Sequence, residues 1–514
     1  MPRFLLLLRR PFTLDLRALA LLRIAVAAVL LLDLGIRSTD LEAHYSNLGV
    51  LPLHVLQEFA WNPYQFSLHA ASGLAAVQAV LFGLAAVVAG ALLVGYQTRL
   101  ATVASWILLV SVQNRNPLIE QGGDDLLRML VFWAIFLPWG RVYSVDARRR
   151  PPAASYACFS AATVAYVLQI ALVYWCTALL KTGPEWTRDG TAIYYALSLD
   201  QVLLPGGRLL YPYPALLRGL TFATYYTELL LPFVLLLPVG VAGWRLLFVA
   251  VMYGFHFGIS LTLFVGLFFL INMASVLGLL PPAALDWLER FWQPRAARLR
   301  PHLAARWAAV QPRLARLRSP LRIQVEPAFT LSDRGRWLGR ALLNTVVTVF
   351  LGYVLWWNFD SVPGRQPTLY MSEPLRWFGH LFRVDQHWGM FAPTVFKDDG
   401  WYILEGTTTR GQTLDLNRGG ARLTYAKPAA VVALFKNDRW RKYSENYLFV
   451  ANSYMRPYYC NYLLRRWHQN PAHPPLRLLE VVYMKEVSLP DYQTSKPTRE
   501  VLCGCAPEAP NSPD

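Results

Sequence analysis

Three stretches of this chain carry no Asp, Glu, Lys or Arg over bilayer length: residues 71–96, 157–180 and 246–280. A membrane span needs about 20 mostly apolar residues, because the hydrocarbon core is about 30 Å thick and a helix rises about 1.5 Å per residue. His256 is the one readily titratable side chain in the third stretch. Weaker apolar runs lie at 16–35, 100–113, 126–140, 219–244 and 341–357. The region 219–281 is too long for two spans and reads as three, over 219–237, 242–259 and 262–281. The expected fold is a polytopic α-helical membrane protein with about nine transmembrane helices, followed by a C-terminal β-rich extracytoplasmic domain. Arg23 and Asp33 interrupt the first run and no small-residue cleavage motif follows, so it reads as a helix rather than a cleaved signal peptide.

Composition agrees. Hydrophobic residues make up 55% and charged residues only 16% of the 514, which excludes a disordered chain. Five cysteines exclude a disulfide-rich scaffold. The net charge of +17 resolves into topology, since Lys and Arg concentrate in cytoplasmic loops. The basic segments are Arg3, Arg9 and Arg10, then Arg141 with Arg148–Arg150, then eight Arg and no acid over 295–322. With all three inside, four helices separate each successive pair and one more carries the chain out. This predicts a multi-pass protein of the cell membrane with a cytoplasmic N-terminus. The divisions are a transmembrane domain (1–285), an Arg-rich cytoplasmic linker (286–336), a last span (337–359), an extracytoplasmic β-rich domain (360–505) and a disordered Pro-rich tail (506–514). The Arg-rich stretch reads as topology and anionic-lipid contact, with no nucleic-acid partner. Neither Gly-x-x-x-x-Gly-Lys-Ser/Thr nor Gly-x-Gly-x-x-Gly occurs, so nucleotide chemistry has no support.

Past Phe359 apolar and polar residues alternate over 401–405, 429–435 and 478–484, between turn signals such as Asp399-Gly400 and Gly419-Gly420. This reads as a β-rich fold, a sandwich being one form. Cys460, Cys503 and Cys505 lie here, in an oxidising compartment on this topology. One disulfide is expected, joining Cys460 to Cys503 or Cys505.

The same topology gathers charged and aromatic loops, 37–70, 114–125 and 181–218, on the outer side. Arg23, Asp33, Glu228 and His256 lie at or near membrane depth, where each charge costs roughly 2.5–3.5 kcal/mol unless paired. A pair such as Arg23 with Glu228 would lock helices together. Lys181 follows 24 uncharged residues. It reads either as an anchor that snorkels to water or as a desolvated amine of lowered pKa, able to act as a base. A contacting Glu185 or Asp189 would oppose the second role.

Several motifs carry a family resemblance: Ala43–Pro52 (AHYSNLGVLP), Asn114–Asp125 (NRNPLIEQGGDD), Tyr143–Asp146 (YSVD), Lys181–Trp186 with Gly190 (KTGPEW…G) and Phe255-His256. Over about 10–285 the chain resembles the transmembrane module shared by bacterial HTTM proteins and the vitamin K-dependent gamma-carboxylases. Val384–Glu405 (VDQHWGMFAPTVFKDDGWYILE) and Asn437–Tyr443 (NDRWRKY) resemble the extracytoplasmic domain that often follows it.

The resemblance implies a quinol-dependent carboxylase or oxygenase-type enzyme, a lyase in class, with its site on the outer side. Lys181, five residues before Trp186, would be the base that deprotonates reduced vitamin K or menaquinol, and His256 a second catalytic residue. The quinol anion would react with oxygen to give a strong base, and the glutamyl carbanion that this generates would capture carbon dioxide. Asn114, Arg115, Asn116, Asp124, Glu185 and Trp186 would bind substrate. Membrane lipids, a lipid-soluble quinol and an outer peptide or protein substrate are the implied partners, with no metal. The chain departs from the carboxylases at one point: their Asn-His pair falls in the loop 114–125, which here has no histidine. The alternative is a non-enzymatic scaffold or export-associated protein that binds a partner through its outer domain. A transporter ranks third, since no pair of broken helices in matching halves is visible.

Overall fold

The computed structural model describes residues 3–292, 294, 333–364 and 370–507. The Arg-rich stretch 295–322 and the tail from 508 lie outside the described residues. A helix occupies each of the nine apolar runs. They are α1 (Leu16–Ser38), α2 (Ala75–Val94), α3 (Thr98–Arg115), α4 (Gly122–Ala134), α5 (Ala161–Leu180), α6 (Pro214–Leu236), α7 (Val241–Thr262), α8 (Phe268–Ser275) and α9 (Asp333–Ser361).

Six of them, α1, α2, α5, α6, α7 and α9 from Trp337, are long and apolar enough to cross a membrane. The other three fall short for separate reasons. Arg99, Gln113, Asn114 and Arg115 make α3 too polar. The 13 residues of α4 reach only about 20 Å at 1.5 Å per residue. After α8 the chain bends by 105° into Pro282–Trp292. Among the described residues the helices long and apolar enough to cross a membrane thus number six, or seven if that bent pair is one span, and the expected count of about nine is not reached by length and composition. α2 presents an exposed apolar surface, where Val80 and Val87 are each 71% exposed. By contrast α5 is the inner helix, packed against α4, α6 and α9.

The C-terminal region adds α10 (Glu373–Leu381), α11 (Asp438–Leu448) and α12 (Arg456–His468) to five strands. The strands are β1 (Asp398–Thr408), β2 (Thr413–Asp415), β3 (Ala421–Arg422), β4 (Leu476–Val487) and β5 (Thr498–Cys505), in one antiparallel sheet of order β3-β2-β1-β4-β5. Alternation along β1 and β4 serves two different layers. Tyr402, Leu404, Val481 and Tyr483 join the main core, and the Tyr402 hydroxyl donates to the Ser444 carbonyl of α11 at 2.6 Å. Trp401, Ile403, Val482 and Met484 face a separate cluster closed by Val431. A sandwich is therefore corrected to a single sheet with helices. The expected strand at 429–435 is instead a short 3-10 turn, Val431–Leu434, because its apolar residues cover that sheet face rather than extend the sheet.

The disulfide joins Cys460 of α12 to Cys505, with Cα atoms 6.0 Å apart. Cys503 is free, so the pairing Cys460–Cys503 is corrected. Both β5 cysteines face α12, being two residues apart. Register decides between them: the Cys460 sulfur lies 3.5 Å from the Leu479 carbonyl oxygen, and Leu479 is the cross-strand partner of Cys505. Cys503 lies one step along, opposite Val481, where its sulfur accepts from the Tyr447 hydroxyl at 3.1 Å.

Candidate functional site

Lys181 is the residue at which α5 ends. Its side chain is only 3% exposed, so it turns inward rather than snorkelling to water. Its ammonium nitrogen contacts the Glu228 carboxylate of α6, and the Trp186 ring centroid lies 4.5 Å from it. Neither acid of its own loop is the partner. Glu185 accepts from the Val395 amide at 3.2 Å, and Asp189 pairs with Arg188. Arg23 is not the partner of Glu228 either: buried in α1, it donates to the Tyr143 carbonyl at 2.6 Å. The pair Lys181–Glu228 is therefore the buried couple of this end of the bundle. A signal for it lies in the sequence: Lys181 is the only lysine before Lys397, and Glu228 is the only acidic residue between 201 and 285.

Tyr174 precedes Lys181 by seven residues on the same face of α5, about 10 Å along the axis. Its hydroxyl meets His256 Nε2 at 3.0 Å and lies 3.5 Å from Asn272 Oδ1. His256 is buried and its Nδ1 has no hydrogen-bond partner among the described residues. No contact joins His256 to Lys181 among those residues, so the two form separate polar clusters on one helix face.

The loop 114–125 is engaged by the C-terminal region. Asn114 donates to the Phe66 carbonyl at 2.7 Å and accepts from Arg383. Arg115 donates to the Leu51 carbonyl at 3.0 Å, and its Nε and Nη2 have no hydrogen-bond partner among the described residues. Asn116 donates to the His44 carbonyl at 3.0 Å. Asp124 accepts from Arg37 at 2.7 Å and from both terminal nitrogens of Arg439 at 2.6 and 2.7 Å. Arg439 also reaches Asp33 at 2.7 Å, and Arg37 pairs with Asp33 at 2.8 Å and Glu120 at 2.9 Å. Two arginines and three carboxylates thus form one buried network.

The helix that delivers Arg439 is α11, whose first turn is capped by the Asn437 side chain. The Trp440 ring packs against His44 at a tilt of 48°, with centroids 4.4 Å apart. Asp438 approaches Gly266, where a Cβ would lie 2.4 Å from its carboxylate oxygen and φ is +56°. A side chain at 266 would therefore be strained at that φ and would displace the Asp438 side chain.

A second segment, 383–395, enters the bundle itself. Gln386 accepts from Gln169, halfway along α5, at 2.8 Å. Further on, Pro393 accepts from the Gly183 amide at 2.9 Å and Phe391 from the Trp186 indole at 2.9 Å. Val384, Trp388 and Val395 are buried. The KTGPEW loop therefore rests on the MFAPTV stretch, and NRNPLIEQGGDD on NDRWRKY, so motifs far apart in sequence meet in pairs.

One acidic cluster lies apart from these. Ligand oxygens of Asp200, Asp399 and Glu486 fall within 4.8 Å of one another. The Lys427 ammonium bridges Asp200, at 2.5 Å, and Glu486. Burial pushes the Asp399 carboxyl up to about 7, with the Asp200 charge adding to the shift against hydrogen bonds from the Asp200 and Gly400 amides. A lysine thus supplies the cation of this site.

Comparison of the chain with protein-family models, with curated proteins and with solved structures finds no match in any of the three.

Proposed function

We propose that this protein is an integral membrane enzyme of the carboxylase-like type, using a lipid-soluble quinol near the outer face. The observation that carries the reading is the buried Lys181–Glu228 pair beside Trp186. In a chain that otherwise uses arginine throughout its first 396 residues, a lysine at this point is a cation that can give up its proton, which arginine cannot. With the shared proton on Glu228, the Lys181 amine is free to take the hydroxyl proton of a quinol, and Trp186 offers an aromatic face at the same place. Reduced vitamin K or menaquinol, with oxygen and carbon dioxide as co-substrates, is the class that the family resemblance suggests. His256, held by Tyr174, would polarise a substrate oxygen deeper in the bundle.

The test is quinol-dependent oxygen uptake by the protein in proteoliposomes loaded with reduced menaquinone. Lys181→Arg keeps a cation against Glu228 and should retain the fold while losing the uptake. Full uptake in that variant overturns the reading, as does none in the unaltered protein.

A second reading is favoured by a separate observation. The polar atoms of Asn114, Asn116 and Asp124 are spent on protein partners, which suits a scaffold whose outer region binds a partner. It gains if the unaltered protein shows no uptake.

The topology belongs to the same proposal: nine spans, a cytoplasmic N-terminus and residues 360–514 outside. In a background with Cys503→Ser, a cysteine at Gly411 should react with an impermeant thiol reagent on intact cells, and one at Arg313 should not. The opposite pattern overturns the orientation.

A further inference from the structure

At the corner between α2 and α3 the chain forms a groove that none of the preceding chemistry uses. Its volume is about 210 Å³ and its walls include Thr98, Arg99, Leu100, Asp146, Arg149 and Arg150. One water needs only about 10–15 Å³ measured this way, so the groove admits a group far larger than a single ion.

The groove is built rather than incidental. The 141–150 segment folds back on the corner, with the Val145 and Asp146 amides donating to the Val94 and Gly95 carbonyls, each at 3.0 Å. Asp146 accepts from the Gln97 amide at 3.0 Å, the Thr98 amide at 2.7 Å and the Thr98 hydroxyl at 2.7 Å. These bonds consume the carboxylate and cap α3, so the helix end itself is not free to bind an anion. Behind the corner, Gly95 at φ +69° presses on Arg23, leaving no room for a Cβ. The floor is therefore fixed from both sides.

Charge and exposure then define what fits. Arg99, Arg149 and Arg150 are all exposed. Among the described residues none has a carboxylate within 4.0 Å, so three guanidinium groups face one carboxylate that is already engaged. Arg149 lies over the Tyr96 ring, 5.8 Å from its centroid. Leu100 of the wall is 67% exposed, and Val94 and Tyr96, next to the groove in sequence, are 52% and 44% exposed. Val94 ends α2 and Leu100 lies in the first turn of α3, so in a membrane this corner would sit at the end of an apolar helix, where headgroups meet acyl chains.

We infer that this groove binds the headgroup of an anionic phospholipid. The arginine forks match phosphate oxygens in pairs, and the apolar residues beside the groove lead onto the exposed apolar surface of α2. A phosphatidylcholine headgroup ends in a quaternary ammonium that the same three arginines repel. The inference needs the chain to be in a membrane but not the quinol chemistry, so it stands or falls separately.

The test uses full-length protein in detergent and native mass spectrometry with added lipid. Phosphatidylglycerol should bind saturably, phosphatidylcholine at least tenfold more weakly. The triple variant Arg99→Gln, Arg149→Gln, Arg150→Gln should weaken phosphatidylglycerol at least tenfold, with its thermal transition unchanged, because all three side chains are on the surface. A variant with every Arg of 295–322 changed to Gln should keep that binding within twofold. Undiminished binding in the triple variant overturns the assignment, and so does equal binding of phosphatidylcholine. Full competition by low-millimolar inorganic phosphate would assign the groove to the free ion and equally overturn it.

Discussion

Arg439 grips Asp124 in a two-pronged ion pair, Nη1 to Oδ2 at 2.6 Å and Nη2 to Oδ1 at 2.7 Å, with the two side chains 5% and 1% exposed. One residue belongs to α11 of the C-terminal region and the other to α4 of the bundle. Removing one member of a buried pair strands the other charge, at a cost of about 3–5 kcal/mol. Arg439→Ala should therefore lower the thermal transition and release the C-terminal region to protease. Arg439→Lys should recover only part of the loss, since one ammonium cannot meet both oxygens and Asp33 as well. A thermal transition unchanged in Arg439→Ala would contradict the role of this contact.

The Lys181–Glu228 pair predicts a coupled response. Lys181→Met leaves Glu228 buried beside apolar groups, and Glu228→Leu leaves Lys181 likewise. Each should destabilise by about 3–5 kcal/mol, while the double variant should cost much less than the sum. Chemical unfolding of the four proteins in detergent checks this, and additive losses would mean the two side chains do not depend on each other.

For the cross-link, the sequence separation of 45 residues corresponds to a loop-entropy stabilisation of about 4 kcal/mol. Cys460→Ser and Cys505→Ser should each lose it and shift the melting of the C-terminal region downward. Cys503→Ser should leave it intact. Peptide mapping without reductant should recover the 460–505 pair in the last variant only.

Asp399 sets a pH dependence. Its carboxyl titrates at about 7 in the folded protein against about 3.9 unfolded, so the folded state binds that proton more tightly. The stability it contributes is complete below about pH 4 and is lost as pH rises to 7, by on the order of 2 kcal/mol between pH 5 and 8. Asp399→Asn should remove that slope, because the amide stays neutral and its oxygen still accepts from the Asp200 amide. Equal pH slopes in the two proteins, followed by thermal unfolding, would place the titration elsewhere.

How far the chain could be read beforehand depended on the range of the physics. The charge-free run 157–180 became α5 (Ala161–Leu180), and 401–405 and 478–484 became the interiors of β1 and β4. These patterns are local, a bilayer length or a period of two. The alternation at 429–435 failed because a short apolar run fits a turn that covers a sheet as well as a strand within one. The span count is hardest to read at α4, whose 13 residues are mostly buried and apolar but too few to cross a bilayer as a straight helix. Partners were the least legible. Asp33, Glu228 and Lys181 stood out as charges in apolar surroundings, but their partners lie as far off as Arg439, and no local pattern encodes that meeting. Cys503 and Cys505 face the same way, so only the register against Leu479 separates them.

The bridge from Asp33 to Arg439 spans 406 residues, and this sets a timetable for biogenesis. A ribosome adds about 5–20 residues per second, so Asp33 waits roughly 20–80 s after its own synthesis before its second arginine exists. Through that interval Arg37, one turn along α1, is the nearby cation that holds it. The bundle cannot reach its final charge balance until α11 has been made and brought against the loops of α1 and α4. A chain interrupted before Arg439 would thus carry an acidic patch of Asp33, Glu120 and Asp124 that is short of one cation.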